Sequence, residues 1–202
     1  GLDFGLRDDV VTGSVEAYYR HTTDLLNSIA APLGGNFSNV ITANIGEMVN
    51  KGIELTANWN IIETRDIHLS LGGNVTFQDT RITKLTAKHD ESYLGVTVGG
   101  KLSGTEGYSS LFREGYAPYT YYLYKQSYFI HDGVINADDR YITPWSPEPS
   151  VFYGVNLHFG YKNWDFSING HGSAGNYLIN KVALGYSSSY SDDTDKGYLN
   201  NL

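Results

Sequence analysis

Polarity alternates residue by residue along five stretches of this 202-residue chain, and faintly along a sixth. Val11-Thr12-Gly13-Ser14-Val15-Glu16-Ala17-Tyr18-Tyr19-Arg20 is one, Ile53 to Ile61 a second and Ile67 to Phe77 a third. Val151 to Tyr161 and Trp164 to Gly172 repeat the pattern. In each, one parity is apolar or small and the other is polar. Successive side chains on a strand point to opposite faces, so these segments have one greasy face and one wet face. The wet face carries Glu16, Arg20, Glu54, Asn58, His68, Asn74 and Gln78. Such a set is too polar to form a protein core and suits a surface that lines water. Apolar-out, polar-in strands of about 10 residues describe an all-β, antiparallel transmembrane β-barrel segment.

Composition narrows the alternatives. No run approaches the roughly 20 apolar residues of a membrane-spanning helix, and barrel strands need none. The chain has no Cys, which removes disulfides and thiolate metal sites. Its net charge of −8 argues against nucleic acid as a partner. There is no nucleophile elbow, no H-E-x-x-H and no P-loop, so nothing points to an enzyme. The first residues already read as a strand, and no signal peptide precedes them.

The strands fall near 1–7, 10–22, 47–61, 67–80, 150–161 and 164–174, with loops at 24–44, 83–149 and 176–202. Residues that flank a tight hairpin turn share a face. Asp8-Asp9 then sets Leu6 opposite Val11, and Lys162-Asn163 sets Tyr161 opposite Trp164. A five-residue turn, Ile62 to Asp66, sets Ile61 opposite Ile67. All three hairpins match apolar with apolar. The connections alternate short and long, as periplasmic turns and extracellular loops do in outer-membrane barrels. On that rhythm Tyr116 to Tyr128 belongs to an extracellular hairpin. Six strands cannot close a membrane barrel, whose observed minimum is about eight. The segment therefore belongs with further strands, since open edges in lipid cost several kcal/mol per unpaired group.

Three groups of residues are candidates for function. Glu16, Arg20, Glu54, Asn58, His68, Asn74, Gln78, Asn156, His158, Asp165, Asn169 and His171 form the expected lumen face. They would touch cargo or simply solvate the interior. His68, His158 and His171 lie on three strands without a metal-ligand spacing, so no metal site is expected. Tyr19, Trp59, Phe77, Tyr153, Tyr161 and Trp164 lie on the apolar parity near strand ends, where membrane proteins carry aromatic girdles. Tyr116, Tyr119, Tyr121, Tyr122 and Tyr124 form a tyrosine cluster able to stack on sugar rings and bond sugar hydroxyls. Packing against a protein partner would serve the same residues equally.

Several motifs carry a resemblance. Asn36-Phe37-Ser38-Asn39, then Asn44-Ile45-Gly46-Glu47-Met48-Val49-Asn50-Lys51-Gly52-Ile53-Glu54-Leu55, resembles a segment typical of SusC/RagA-like TonB-dependent transporters. Gly115-Tyr116-Ala117-Pro118-Tyr119, Asp132 to Arg140, Ser146-Pro147-Glu148-Pro149, Tyr161 to Phe166 and Gly175-Asn176-Tyr177 continue it in order. The resemblance implies a 22-stranded barrel with an internal plug, powered through TonB and lidded by a SusD-like surface lipoprotein. It implies an outer-membrane setting in Bacteroidota and a cargo of oligosaccharide, sometimes peptide, with no cofactor. It places the plug and the TonB-contacting segment before Gly1. The family often carries a calcium-loop-like run ahead of Asp-Asp-Arg. Here Tyr128, Ile130 and His131 replace part of it, while Asp132, Asn136 and Asp139 remain. Three such side chains fall short of the six to eight oxygens calcium takes. The rival readings are a passive porin and a soluble β-sandwich that binds carbohydrate or mediates adhesion. A sandwich would bury its apolar face and show water the polar one.

Overall fold

The computed structural model describes residues 1–30, 40–85, 92–101, 108–124 and 140–180. Ten strands occur among them: β1 (Leu2–Leu6), β2 (Val11–Ala30), β3 (Val40–Glu63), β4 (Ile67–Lys84), β5 (Val96–Lys101), β6 (Tyr108–Phe112), β7 (Thr120–Tyr124), β8 (Arg140–Ile142), β9 (Val151–Tyr161) and β10 (Trp164–Ala174). They form a six-stranded sheet in the order β1-β2-β3-β4-β9-β10 and a four-stranded sheet, β5-β6-β7-β8. The chain divides into two compact units. The first comprises 1–22, 48–80 and 149–176; the second comprises 23–47, 81–148 and 177–202.

The six-stranded sheet in the first unit is built from the alternating segments. Leu6 pairs with Val11 and Tyr161 with Trp164, as the turn residues require. Lys162 takes a φ of 53°, the sign needed at the first central residue of a two-residue hairpin turn. The third hairpin is tighter than the sequence suggests. β3 runs on to Glu63, leaving Thr64–Asp66 as the turn rather than Ile62–Asp66. Thr64 explains it: its N–H donates to the Ile67 carbonyl at 2.9 Å, and its Oγ1 accepts the Ile67 N–H at 3.0 Å. β4 and β10 flank β9 in one continuous register, so Ile67, Tyr161 and Trp164 form a single row.

β2 and β3 are longer than the alternation indicates. The stretch read as loop 24–44 contributes strand up to Ala30 and again from Val40, and only 31–39 between them lies outside the described residues. The physical reason sits at Asp24, whose φ is 58°. A residue in the left-handed region inside a strand shifts the phase of the side chains, as β-bulges do, and breaks the period that the sequence displays. β4 likewise runs on to Lys84.

The region 83–149 is not a plain loop. It holds the second sheet, whose short strands pack around Leu111, Thr120 and Thr143, all essentially without exposure. The tyrosine segment supplies β7, which pairs with β6 and β8. Residues 125–139 fall outside the described set, and with them Tyr128 and the calcium candidates Asp132, Asn136 and Asp139.

One glycine of the first sheet sits where a side chain would press on its neighbours. At Gly52 a Cβ would stand 2.5 Å from the Phe77 carbonyl oxygen and 2.7 Å from the Tyr18 hydroxyl. The Tyr18 ring lies over this gap, an aromatic covering a cross-strand glycine. Gly52→Ala is expected to lower stability by about 1–3 kcal/mol, the usual range for overpacking. Urea titration of the full-length protein folded in lipid vesicles measures it.

Candidate functional site

Strand parity sorts the first unit's residues onto two faces. On the odd face of β2, β3, β4 and β9, and in register with it on β10, stand Ile53, Val155, Phe166 and Ile168. Val155, Phe166 and Ile168 are each at least half exposed. A soluble sandwich would bury these side chains. Aromatic residues mark the two ends of this face. Trp59, Tyr161 and Trp164 stand beside the short turns, with Trp164 the most exposed at 78%. Tyr19, Phe77 and Tyr153 stand toward the other end, each about half exposed or more. Ile67 and Phe77 bound the face on β4. Ten residues span roughly 34 Å along a strand, or about 26 Å of height at a 40° tilt. That matches the apolar band of an outer-membrane barrel, about 25 Å tall. Just beyond Phe77, Lys51 and Asp79 pair at 3.8 Å on the same parity. Charge begins where the band ends.

The other face is polar. Glu16 and Arg20 lie on β2, Glu54 and Asn58 on β3, and His68, Asn74 and Gln78 on β4. Asn156 and His158 lie on β9, and Asp165, Asn169 and His171 on β10. The structure brings part of this set together. Asn58, Asn156, His158 and Asn169 line one recess, and Asn58, Asn74, Asn156, Asn169 and His171 line its neighbour. Glu16, Arg20 and Glu54 line neither. Gln78 is committed elsewhere, its Nε2 donating to the Pro149 carbonyl at 3.0 Å. Toward the short turns, His68 Nδ1 meets Glu63 Oε1 at 2.8 Å. His158 Nδ1 meets Ser167 Oγ at 3.0 Å, and its Nε2 is 3.7 Å from Asp165 Oδ1. Gly160, between His68 and Asp165 in register, leaves room for both side chains. Among the described residues no group of three or more His, Cys, Asp or Glu is placed to hold a metal.

The tyrosine cluster in the second unit divides by role. Tyr116 and Tyr119 have exposed rings, and Tyr119 packs edge-on against Phe112 at 4.8 Å. Tyr121 is buried. Its hydroxyl donates to the Tyr177 carbonyl at 2.7 Å. Burial pushes the Tyr121 phenol above its ordinary pKa, and a backbone hydrogen bond from Ile179 pulls the other way. Tyr122 is covered by the Arg140 guanidinium, 3.9 Å from its ring centroid. Tyr124 lies in β7, paired with Arg140. Sequence reasoning missed a second aromatic pair. Trp145 and Tyr177 lie 5.6 Å apart, both well exposed. The Tyr121 amide donates to the Trp145 carbonyl, and the Tyr177 amide to that of Ser146, each at 2.9 Å. No period links residues so far apart in sequence, so only the tertiary contact reveals the pair.

The sequence and the fold have counterparts in known proteins. The family described as TonB dependent receptor-like, beta-barrel, matches residues 1–171. The TonB-dependent receptor SusC of Bacteroides thetaiotaomicron is 35% identical over 96% of the chain. The TonB-dependent receptor P26 of Formosa agariphila is 28% identical over 89%. The chain spans about a fifth of the length of these relatives, 21% and 20% respectively. Among solved structures, the RagAB peptide transporter superposes with a TM-score of 0.65 at 20% identity, covering 90% of this chain and 21% of that one. The 'closed-closed' state of the RagAB peptide importer gives 0.66 at 19%, covering 89% and 21%. At that identity the likeness concerns the fold. The chain belongs to the TonB-dependent receptor β-barrel family of the outer membrane, SusC/RagA-like in kind, a family of transporters and not of enzymes.

Proposed function

We propose that this chain forms part of the wall of a TonB-energised importer whose cargo is an oligosaccharide and whose surface partner is a SusD-like lipoprotein. The odd face meets outer-membrane lipid, and the even face lines the path of the cargo. The short turns lie on the periplasmic side. The observation that carries the reading is the opposition of faces in one sheet. An apolar face of bilayer height with aromatic ends backs a face of amides, hydroxyls and imidazoles. A lipid-facing exterior and a wet interior are what such a wall requires. The 35% identity to a receptor named SusC supports a SusC-like importer; the glycan cargo and the surface lipoprotein are what the resemblance to SusC/RagA-like transporters implies.

Two measurements test this reading. Uptake of labelled oligosaccharides by cells expressing the full-length protein is expected to stop when the proton gradient is collapsed, while surface binding persists. Detergent extracts are expected to yield the protein with a co-purifying lipoprotein. Uptake that continues without the gradient would establish a passive porin instead.

A further inference from the structure

On the even face, β3, β4 and β9 come together over a buried glycine. Gly72 has no side chain to offer, and the side-chain oxygens of Asn58 and Asn156 overhang it. Asn58 Oδ1 stands 2.6 Å from where a Cβ would be. Gly154 repeats the arrangement one row away, with Asn74 Oδ1 2.5 Å from its missing Cβ. Asn169 pairs with Asn156 in register and closes the β10 side. The two recesses share Asn58, Asn156 and Asn169, so they form one continuous trough with a glycine floor and amide walls.

Two features of the trough point to a ligand class. Its lining includes no Asp, Glu, Lys or Arg. The charged residues of the same face, Glu16, Arg20, Glu54 and Asp165, all lie outside it. Four of its five amides are also unspent; the fifth, Asn60, donates to the Asp9 carbonyl at 3.5 Å. Among the described residues, none of the Asn58, Asn74, Asn156 and Asn169 side chains bonds to another protein group, whereas Asn50 and Asn60 do. Each free amide offers two donor hydrogens and an acceptor oxygen. A ring bearing several hydroxyls, each both donor and acceptor, satisfies such a wall from end to end. A peptide brings charged termini and side chains, and the lining offers them no carboxylate, ammonium or guanidinium, with His158 and His171 its ionisable groups.

We infer that the Gly72–Gly154 trough, walled by Asn58, Asn74, Asn156 and Asn169, is a transit subsite for neutral sugar rings. The inference rests on the import reading above and adds to it the place where cargo touches the wall. A subsite on the path governs how fast cargo passes and leaves capture at the cell surface unchanged.

The test uses the full-length transporter in cells, with fluorescently labelled neutral glucan, mannan and fructan oligosaccharides and labelled peptides of similar length. Asn58→Leu/Asn156→Leu keeps the branched outline of the side chain and removes the hydrogen bonds. The maximal uptake rate of the imported oligosaccharide is expected to fall about tenfold, the loss expected for one or two neutral hydrogen bonds. Surface binding of the same oligosaccharide is expected to stay unchanged. If this variant does not reach the membrane, Asn156→Ala/Asn169→Ala is read in the same way. An unchanged maximal rate in a correctly inserted variant overturns the subsite and leaves the import reading standing. Import of peptides but of no oligosaccharide by the unmodified protein overturns the cargo reading, and the subsite with it.

Discussion

Ile168→Arg is expected to cost the wall about 2–4 kcal/mol, and Asn169→Arg less than about 1 kcal/mol, although the two residues are adjacent. Ile168 pairs with Leu157, and Leu157 with Leu71, so this row crosses the apolar band close to its middle. Ile168 is 51% exposed on a face that carries only apolar and aromatic groups between Tyr161 and Tyr153. A guanidinium there cannot snorkel to either boundary, each being about half the band away, and the cost is greatest at the midplane. Asn169 points the opposite way, into the amide trough, where water solvates an arginine at little cost. The comparison needs the full-length protein, folded in vesicles and titrated with urea. A soluble sandwich, with the apolar face buried against a second sheet, would also suffer from Ile168→Arg. It would not show the dependence on bilayer thickness expected here, because only a lipid-facing charge feels the depth of the slab.

The same two-solvent logic explains what the sequence reveals. Between Tyr161 and Tyr153 every residue has a wet or a greasy side, so period two is imposed on β9 and is legible. The registers Leu6–Val11 and Tyr161–Trp164 are legible because short turns leave only one pairing that keeps both faces intact. Beyond Tyr19 and Lys51 the two faces of β2 and β3 no longer alternate in polarity, and Asp24 shifts the phase as well. The backbone ladder continues without a pattern to announce it. The second sheet is hidden for a different reason. Its most buried positions include Ser109, Ser110, Thr120 and Thr143, residues that read as loop in a sequence. Thr120 and Thr143 tolerate burial because their hydroxyls are bonded, donating to the Ala117 carbonyl at 2.7 Å and the Tyr121 carbonyl at 3.1 Å. Of the candidate site residues, the asparagines of the even face were visible one by one. Their convergence over Gly72 depends on three strands brought side by side, which no local pattern encodes.

Arg140→Ala is expected to loosen β6, β7 and β8 together, by about 3 kcal/mol, the sum of two charge-assisted hydrogen bonds at the low end of their range. The Arg140 Nη2 donates to the Tyr122 carbonyl at 2.6 Å and also to the Tyr108 carbonyl, so one guanidinium ties β6 and β7 to its own strand. Its plane lies over the Tyr122 ring, where the quadrupole adds to the attraction. Only a planar cation with several donors meets both carbonyls and the ring at once, so Arg140→Lys is expected to recover less than half of the loss. Hydrogen exchange read by mass spectrometry on the full-length protein separates this effect from a general destabilisation. Amides of Tyr108–Phe112 and Thr120–Tyr124 are expected to exchange at least tenfold faster in Arg140→Ala, while those of Val151–Tyr161 keep their protection. Faster exchange in all of these segments would mean that Arg140 supports the whole barrel and does not act on the second sheet alone. The effect extends beyond the sheet, because Trp145 and Tyr177 hang from the same hub through Tyr121. A looser β7 would carry both rings out of place while insertion of the barrel stays normal.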